Sequence, residues 1–151
     1  MTSNPVQYFS GEHLVIQVGN GQAPEAFVAT ATINTTRAVD ISVKTSATEI
    51  ADTVNPSLPA STVRQAVSTD IKFTGSGICD APSYYALATA ALNGTILDVK
   101  ITLNLTGAQG GVTFTGKMLL TAINLSGTRG DMTTFTSTWE QAAPFTLAQN
   151  A

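Results

Sequence analysis

A mainly β domain with a single flanking helix is what this 151-residue sequence predicts, arranged as a sandwich or partly rolled barrel with one long loop between strands. Three observations carry the prediction. Apolar residues recur with a period of two along most of the chain, the alternation of a half-buried strand. One segment, 81–92, has the helical period instead, between a start signal and a stop signal. Strands lie on both sides of that helix, and there is no internal repeat, low-complexity tract or interdomain linker. The whole of 1–151 therefore reads as one domain.

The elements follow in order. Leu14, Ile16 and Val18 make a short strand that stops at the turn cluster Gly19-Asn20-Gly21, and residues 25–32 return as the second strand of a hairpin. Along 33–45, Val39, Ile41 and Val43 point inward and Asp40, Ser42 and Lys44 outward. Arg37 interrupts the inward row, which predicts that this end of the strand leaves the core. Between 46 and 62 the alternation vanishes among Glu49, Asp52, Asn55-Pro56 and Leu58-Pro59. So long a connection in a compact domain is usually functional or disordered. It carries Ile50, Val54 and Leu58, apolar side chains that gain nothing in water. An arm that docks on another subunit explains both features, and a flexible β–β loop is the plainer alternative.

Alternation resumes at 63–74, with Val67, Ile71 and Phe73 on one face and Ser68, Asp70 and Lys72 on the other. Asp80-Ala81-Pro82 is a helix start, with an acceptor at the N-cap and proline in the first turn. Tyr84, Leu87, Ala88, Ala91 and Leu92 form the apolar stripe, and Gly94 suits a left-handed C-cap. Over 95–106, Leu97, Val99, Ile101, Leu103 and Leu105 alternate with Asp98, Lys100, Thr102 and Asn104. Gly107-Ala108-Gln109-Gly110-Gly111 lies between strands and is a hairpin loop, since a phosphate cradle needs a helix after it. From 112 to 125 the inward set begins at even positions (Val112, Phe114, Met118, Leu120) and moves to odd ones at Ile123 and Leu125. A one-residue phase change is the mark of a β-bulge. Phe135 and Trp139 point inward from the returning strand at 131–140, and 144–148 adds a short last piece.

Composition narrows the function. A chain this long buries roughly 70% of its unfolded surface and folds without disulfide or metal. Charged residues are only 11% of the sequence, against about 25% in ordinary domains. So little charge points to a surface that faces protein rather than water. The net charge is −3 and no run of Lys or Arg exists, which argues against a nucleic-acid-binding module. The single cysteine, Cys79, can form neither an internal disulfide nor a zinc site. No secretory leader is legible at the start and no apolar stretch suits a membrane span. Sequons at Asn34, Asn93, Asn104 and Asn124 arise by chance in so threonine-rich a chain.

Chemistry has little to work with. His13 is the only histidine and stands beside Glu12 at a strand start. Cys79 precedes the helix, where a thiolate could be stabilised, but it has no base nearby in sequence. The ten carboxylates are scattered without a calcium-loop spacing. Trp139, alone on an alternating strand, reads as core. No catalytic, cofactor or metal residue is assigned, and the chain is expected not to be an enzyme.

The ordered set of segments resembles the major tail proteins, the tail tube subunits of long-tailed phages and of phage-like gene transfer agents. The segments that carry the resemblance are Gly11-Glu12-His13-Leu14-Val15-Ile16, the strand at 36–46 leading into the long loop, and Val67-Ser68-Thr69-Asp70-Ile71-Lys72-Phe73-Thr74-Gly75-Ser76-Gly77, similar to the family's V…I.GSG strand. They continue with the helix at 82–92, Gly94-Thr95-Ile96-Leu97-Asp98-Val99, Gly111-Val112-Thr113-Phe114-Thr115-Gly116-Lys117 and Gly130-Asp131-Met132-Thr133-Thr134-Phe135. Almost the whole chain is covered, although the loop lacks the aromatic residues often present there. The resemblance implies a fold like that of the type VI secretion tube protein. It implies hexameric rings joined into one inner barrel and stacked through the long loop, with DNA passing transiently and without tight binding. On that footing 46–62 is the inter-ring arm, with Ile50, Val54 and Leu58 at its contacts. Asp40, Ser42, Asp70 and Thr102 are candidates for the lumen face. Implied partners are further copies and other tail proteins such as tape measure and terminators, with no cofactor and no membrane. The location implied is the virion tail, after synthesis in the bacterial host cytoplasm. Two other readings are a different polymeric subunit, of secretion-tube or pilus type, and a ligand-binding β-sandwich. The first in its pilus form wants a signal peptide, and the second wants clustered exposed aromatics.

Overall fold

The computed structural model describes residues 8–19, 27–29, 33 and 35–151. A short 3-10 turn, Gly11–His13, leads into β1 (Leu14–Gly19), followed by β2 (Phe27–Ala29), β3 (Thr36–Ile50), β4 (Ser61–Ile78), the helix α1 (Ala81–Asn93), β5 (Ile96–Leu103), β6 (Val112–Ser126), β7 (Thr134–Gln141) and β8 (Thr146–Gln149). The fold is mainly β with one helix, as the periodicities predict. The strands form one hydrogen-bonded sheet in the order β2-β1-β5-β6-β7-β4-β3, with β8 paired to β6. The expected hairpin of β1 and β2 is present, pairing Val18 with Val28. Asn20, Gly21 and most of the returning segment lie outside the described residues.

The chain divides into two compact units, one made of Met1–Val39 with Lys72–Ala151, the other of Asp40–Ile71. In the first, the core is built from alternate positions of neighbouring strands: Ile16, Phe73, Val99, Ile101, Met118, Leu120, Phe135 and Trp139 are buried. Phe73 and Trp139 are register partners with ring centroids 6.3 Å apart. The predicted bulge is real, since the β6–β7 register shifts between Leu120 and Ala122. It turns Leu125 to pair with Phe135, on the face where Leu120 pairs with Trp139.

The helix caps match the sequence signals. The Asp80 carboxylate accepts from the Ser83 N–H at 3.2 Å, and Gly94 ends the helix at φ 64°. Tyr84 meets Phe135 edge-on at 6.0 Å and Leu87 is buried, but Leu92 is 88% exposed and Ala90 is buried instead. The inward stripe thus runs along the half-buried Tyr84 and the buried Leu87 and Ala90, and Leu92 lies off it. The glycine-rich loop at 107–111 contains a 3-10 turn (Gly107–Gln109) capped reciprocally by Thr106 and Gln109.

The second unit departs from expectation. The connection predicted at 46–62 is shorter, because β3 continues to Ile50 and β4 begins at Ser61. The remaining residues, 51–60, form an ordered turn in which the Asp52 carboxylate accepts from the Val54 and Asn55 N–H groups at 2.8 and 3.0 Å. Ile41 and Val43, expected inward, are more than half exposed, and so is Val67, expected on one face with Ile71 and Phe73. Ile71 is the one buried side chain between Asp40 and Ile71. The reason is that alternation reports which residues share a face, not whether anything covers that face. Arg37 also misled: it is half-buried and donates to the Leu14 carbonyl, while Ile33 is buried. The exposed end of the strand is the other one, since every residue of β3 beyond Val39 is exposed.

Candidate assembly surfaces

Strand β3 pairs with β4 on one side and is the last strand of the sheet. Among the described residues no strand pairs with its other side, and an unpaired strand edge is a template for another chain. The unit Asp40–Ile71 adds apolar surface to that edge: Ile41, Val43, Ile50, Val54, Leu58, Val63 and Val67 are all large, hydrophobic and exposed. Of the three residues predicted at arm contacts, Ile50 closes β3 and is half exposed, Val54 in the turn is 93% exposed, and Leu58 is half exposed. The Leu58 N–H bonds the Asn55 carbonyl at 3.1 Å, which holds the turn closed. Of the lumen candidates in this unit, Asp40 and Ser42 are exposed and Asp70 is partly buried, with the Ser42 hydroxyl 3.5 Å from the Asp70 carbonyl.

Within the first unit, the sheet has a core face and an open face. Helix α1 packs on the core face, where Tyr84 meets Phe135. The open face follows from register. Thr102, the fourth lumen candidate, lies on it beside Thr113, its partner in β6. Further along stand Thr115, Thr134, Thr136, Thr138 and Thr74, with Thr74 opposite Thr138 and Thr136 opposite Ser76. The same face carries two ion pairs: Lys72 Nζ to Glu140 Oε1 at 3.0 Å and Lys117 Nζ to Asp98 Oδ1 at 2.9 Å. Lys100 lies over the Phe27 ring, 4.7 Å from its centroid. Thr102 is thus brought together with a threonine-rich polar wall. Asp40, Ser42 and Asp70 belong to the other unit.

Among the described residues, titratable and nucleophilic groups do not converge. An open cleft of about 730 Å³ is lined by Tyr8, His13, Thr102, Asn104 and Asn150, among others. His13 Nε2 is 3.9 Å from the exposed Glu12 carboxylate, and no cysteine lines the cleft. Asn150 makes the cleft wall rigid: its amide donates to the Leu103 and Leu105 carbonyls, both at 2.8 Å, and accepts from the Thr113 hydroxyl at 2.6 Å. Cys79 is partly buried before α1, its N–H bonded to the Thr133 carbonyl at 2.8 Å. Trp139 is fully buried and donates to the Ser137 hydroxyl, so it is core as the sequence suggests. Among the described residues no group of three or more His, Cys, Asp or Glu side chains could hold a metal, and no helix is long and apolar enough to cross a membrane.

The family model of phage tail tube proteins matches residues 8–146. This chain belongs to the phage tail tube protein family. It is a structural subunit of a tail tube, not an enzyme. No curated protein matches the sequence. Solved structures do. The tail tube subunit is similar to a chain from the tail of an empty gene transfer agent particle with C6 symmetry, with TM-score 0.72 and 13% identity over 93% of this chain and 99% of that one. A chain from the virion of a native gene transfer agent particle gives TM-score 0.70 at 12% identity, with the same coverage. The SPP1 tail tube gives TM-score 0.61 at 9% identity, over 95% of this chain and 80% of that one.

Sequence reasoning missed the two ion pairs and the Asn150 clamp. Asp98 and Lys100 were visible as outward residues of one strand, but which residue faces Asp98 depends on strand register, and register comes from the assembled sheet.

Proposed function

We propose that this tail tube subunit assembles into hexameric rings that stack into a tube through which DNA passes. The unit Asp40–Ile71 acts as the arm between copies, with Ile50, Val54 and Leu58 at the ring-to-ring contact. One observation carries the reading: in that unit only Ile71 is buried, while seven large apolar side chains stand exposed along a β-hairpin with an open edge. Surface of that kind is stable in water when a second chain covers it. Rings closed from identical subunits remove the edge altogether. The C6 symmetry of the similar gene transfer agent tail supports the number six. The threonine-rich open face, with Thr102, is the wall toward the lumen; Asp40, Ser42 and Asp70, in the arm unit, are separate candidates for lumen contact. Tape measure and terminator proteins are the further partners, and the subunit is made in the host cytoplasm before it enters the virion tail.

A secretion-type tube is the second reading. The fold alone leaves room for it, being similar also to a chain of the anti-feeding prophage tube-terminating cap, at TM-score 0.62 and 13% identity over 98% of this chain and 96% of that one. Particles that contain the subunit and carry DNA support the first reading; particles that contain it and carry none support the second. Negative-stain microscopy of concentrated subunit tests the proposal itself. Rings or tubes of one width are expected. A subunit that stays monomeric at every concentration refutes it.

A further inference from the structure

Four lysines occur in the chain, and the three outside the arm unit, Lys72, Lys100 and Lys117, all lie on the open face of the sheet. Several cations on one face are what a phosphate-backbone site requires. Yet two of the three face a carboxylate directly across a strand ladder. Lys72 is in register with Glu140, and Lys117 with Asp98. Both pairs have hydrogen-bond distances, 3.0 and 2.9 Å. Lys100 rests on the Phe27 ring. The two pairs are near neighbours, since Glu140 also pairs with Leu119, two residues from Lys117 on the same face of β6.

Their exposure decides what they do. The four side chains are between 32% and 54% exposed, and ion pairs so exposed contribute little to stability. What such a pair does change is the field above the face. A carboxylate 3 Å from an ammonium leaves a small dipole in place of a free cation, and a dipole releases few counterions when a phosphate passes. We infer that Asp98 and Glu140 are screening residues of the tube wall, which keep Lys117 and Lys72 from holding DNA phosphates as the duplex moves along the open face. The inference rests on the proposal that this face lines a DNA-conducting tube. It goes further by assigning two acids a role in keeping the wall from binding its cargo.

Charge arithmetic gives the size of the effect. Glu140→Gln or Asp98→Asn adds one net positive charge per subunit, hence about six at one height of a six-membered ring. Six phosphate contacts beyond those that Lys100 offers raise DNA affinity at about 50 mM salt relative to about 200 mM by about a further thousandfold. The experiment compares tubes of the parent, E140Q, D98N, the reversed pair K72E/E140K, and D131N. Asp131 is exposed in the turn before β7, so D131N makes the same charge change away from the face. Each is mixed with a short labelled duplex and sedimented. E140Q and D98N should retain roughly tenfold more duplex or more at about 50 mM salt and release it by about 200 mM. D131N and the reversed pair should match the parent.

Unchanged retention in both amide variants overturns the inference, as does an equal rise in D131N or in the reversed pair. Failure of both amide variants to assemble assigns the acids to assembly and overturns it too. Absence of tubes in the parent refutes the assembly proposal instead, so the two failures are distinct.

Discussion

Ser137 offers the sharpest test of the core. It is the one buried polar side chain of the described residues, 1% exposed, between Phe135 and Trp139 on β7. Its hydroxyl donates to the Gly75 carbonyl at 3.2 Å and accepts from the Trp139 indole N–H at 3.0 Å. Ser137→Ala removes both bonds and leaves the fully buried indole N–H without this acceptor. An orphaned buried donor costs about 1–3 kcal/mol, and a lost neutral hydrogen bond about 0.5–1.5 kcal/mol. The expected loss is therefore roughly 2–4 kcal/mol, or a fall in Tm of roughly 5–12 °C for a domain of this size. Trp139 is the only tryptophan, so its fluorescence follows urea unfolding of unassembled subunits directly. The midpoint should fall with the slope unchanged. Thr136→Ala, one residue away on the open face and exposed, should stay within about 0.5 kcal/mol. A Ser137→Ala loss as small as that of Thr136→Ala would mean that the indole finds another partner and that the bond chain does not hold β4 to β7.

Asp80→Ala removes the α1 cap and should cost about 1 kcal/mol in thermal unfolding of the unassembled subunit, with Asp80→Ser recovering most of it. Gly116 lies against the Phe145 ring, so a Cβ there would stand 2.6 Å from two ring carbons. Gly116→Ala should cost roughly 1–3 kcal/mol, and Phe145→Leu in the same chain should restore part of it in the same urea titration. Ile50→Asp with Leu58→Asp should leave the unfolding midpoint within about 0.5 kcal/mol, since both side chains are exposed, yet abolish stacking. Sedimentation and microscopy of the double variant check this, and unchanged tubes would refute the arm assignment.

Much of the fold was legible because local rules were obeyed without conflict. The bulge in β6 appeared as a switch from Leu120 to Ile123 in the inward row, and the helix ends were written in Asp80, Pro82 and Gly94. The candidate surfaces were less legible. Ile41 and Val43 alternate as cleanly as Val99 and Ile101, yet the first pair is exposed and the second buried. Alternation is satisfied equally by a face against the chain's own core and by a face kept for another chain. The breakdown of pattern after Ser46 was not the end of a strand either, since Ala47, Glu49 and Ile50 remain in β3. A strand held by its neighbour's backbone needs no apolar period to persist.

The sequence by itself determined the mainly β class, the place of the helix, the inward row from Phe114 to Leu120 and the family pattern. Each of these depends on residues close together in the chain. Only the tertiary structure decided which acid faces which lysine, that Asn150 ties β5 to β6, and that the hairpin from Asp40 to Ile71 buries almost none of its own side chains. Those depend on pairings between segments far apart in sequence, and a one-residue change of register would have altered every one of them while leaving the local pattern the same.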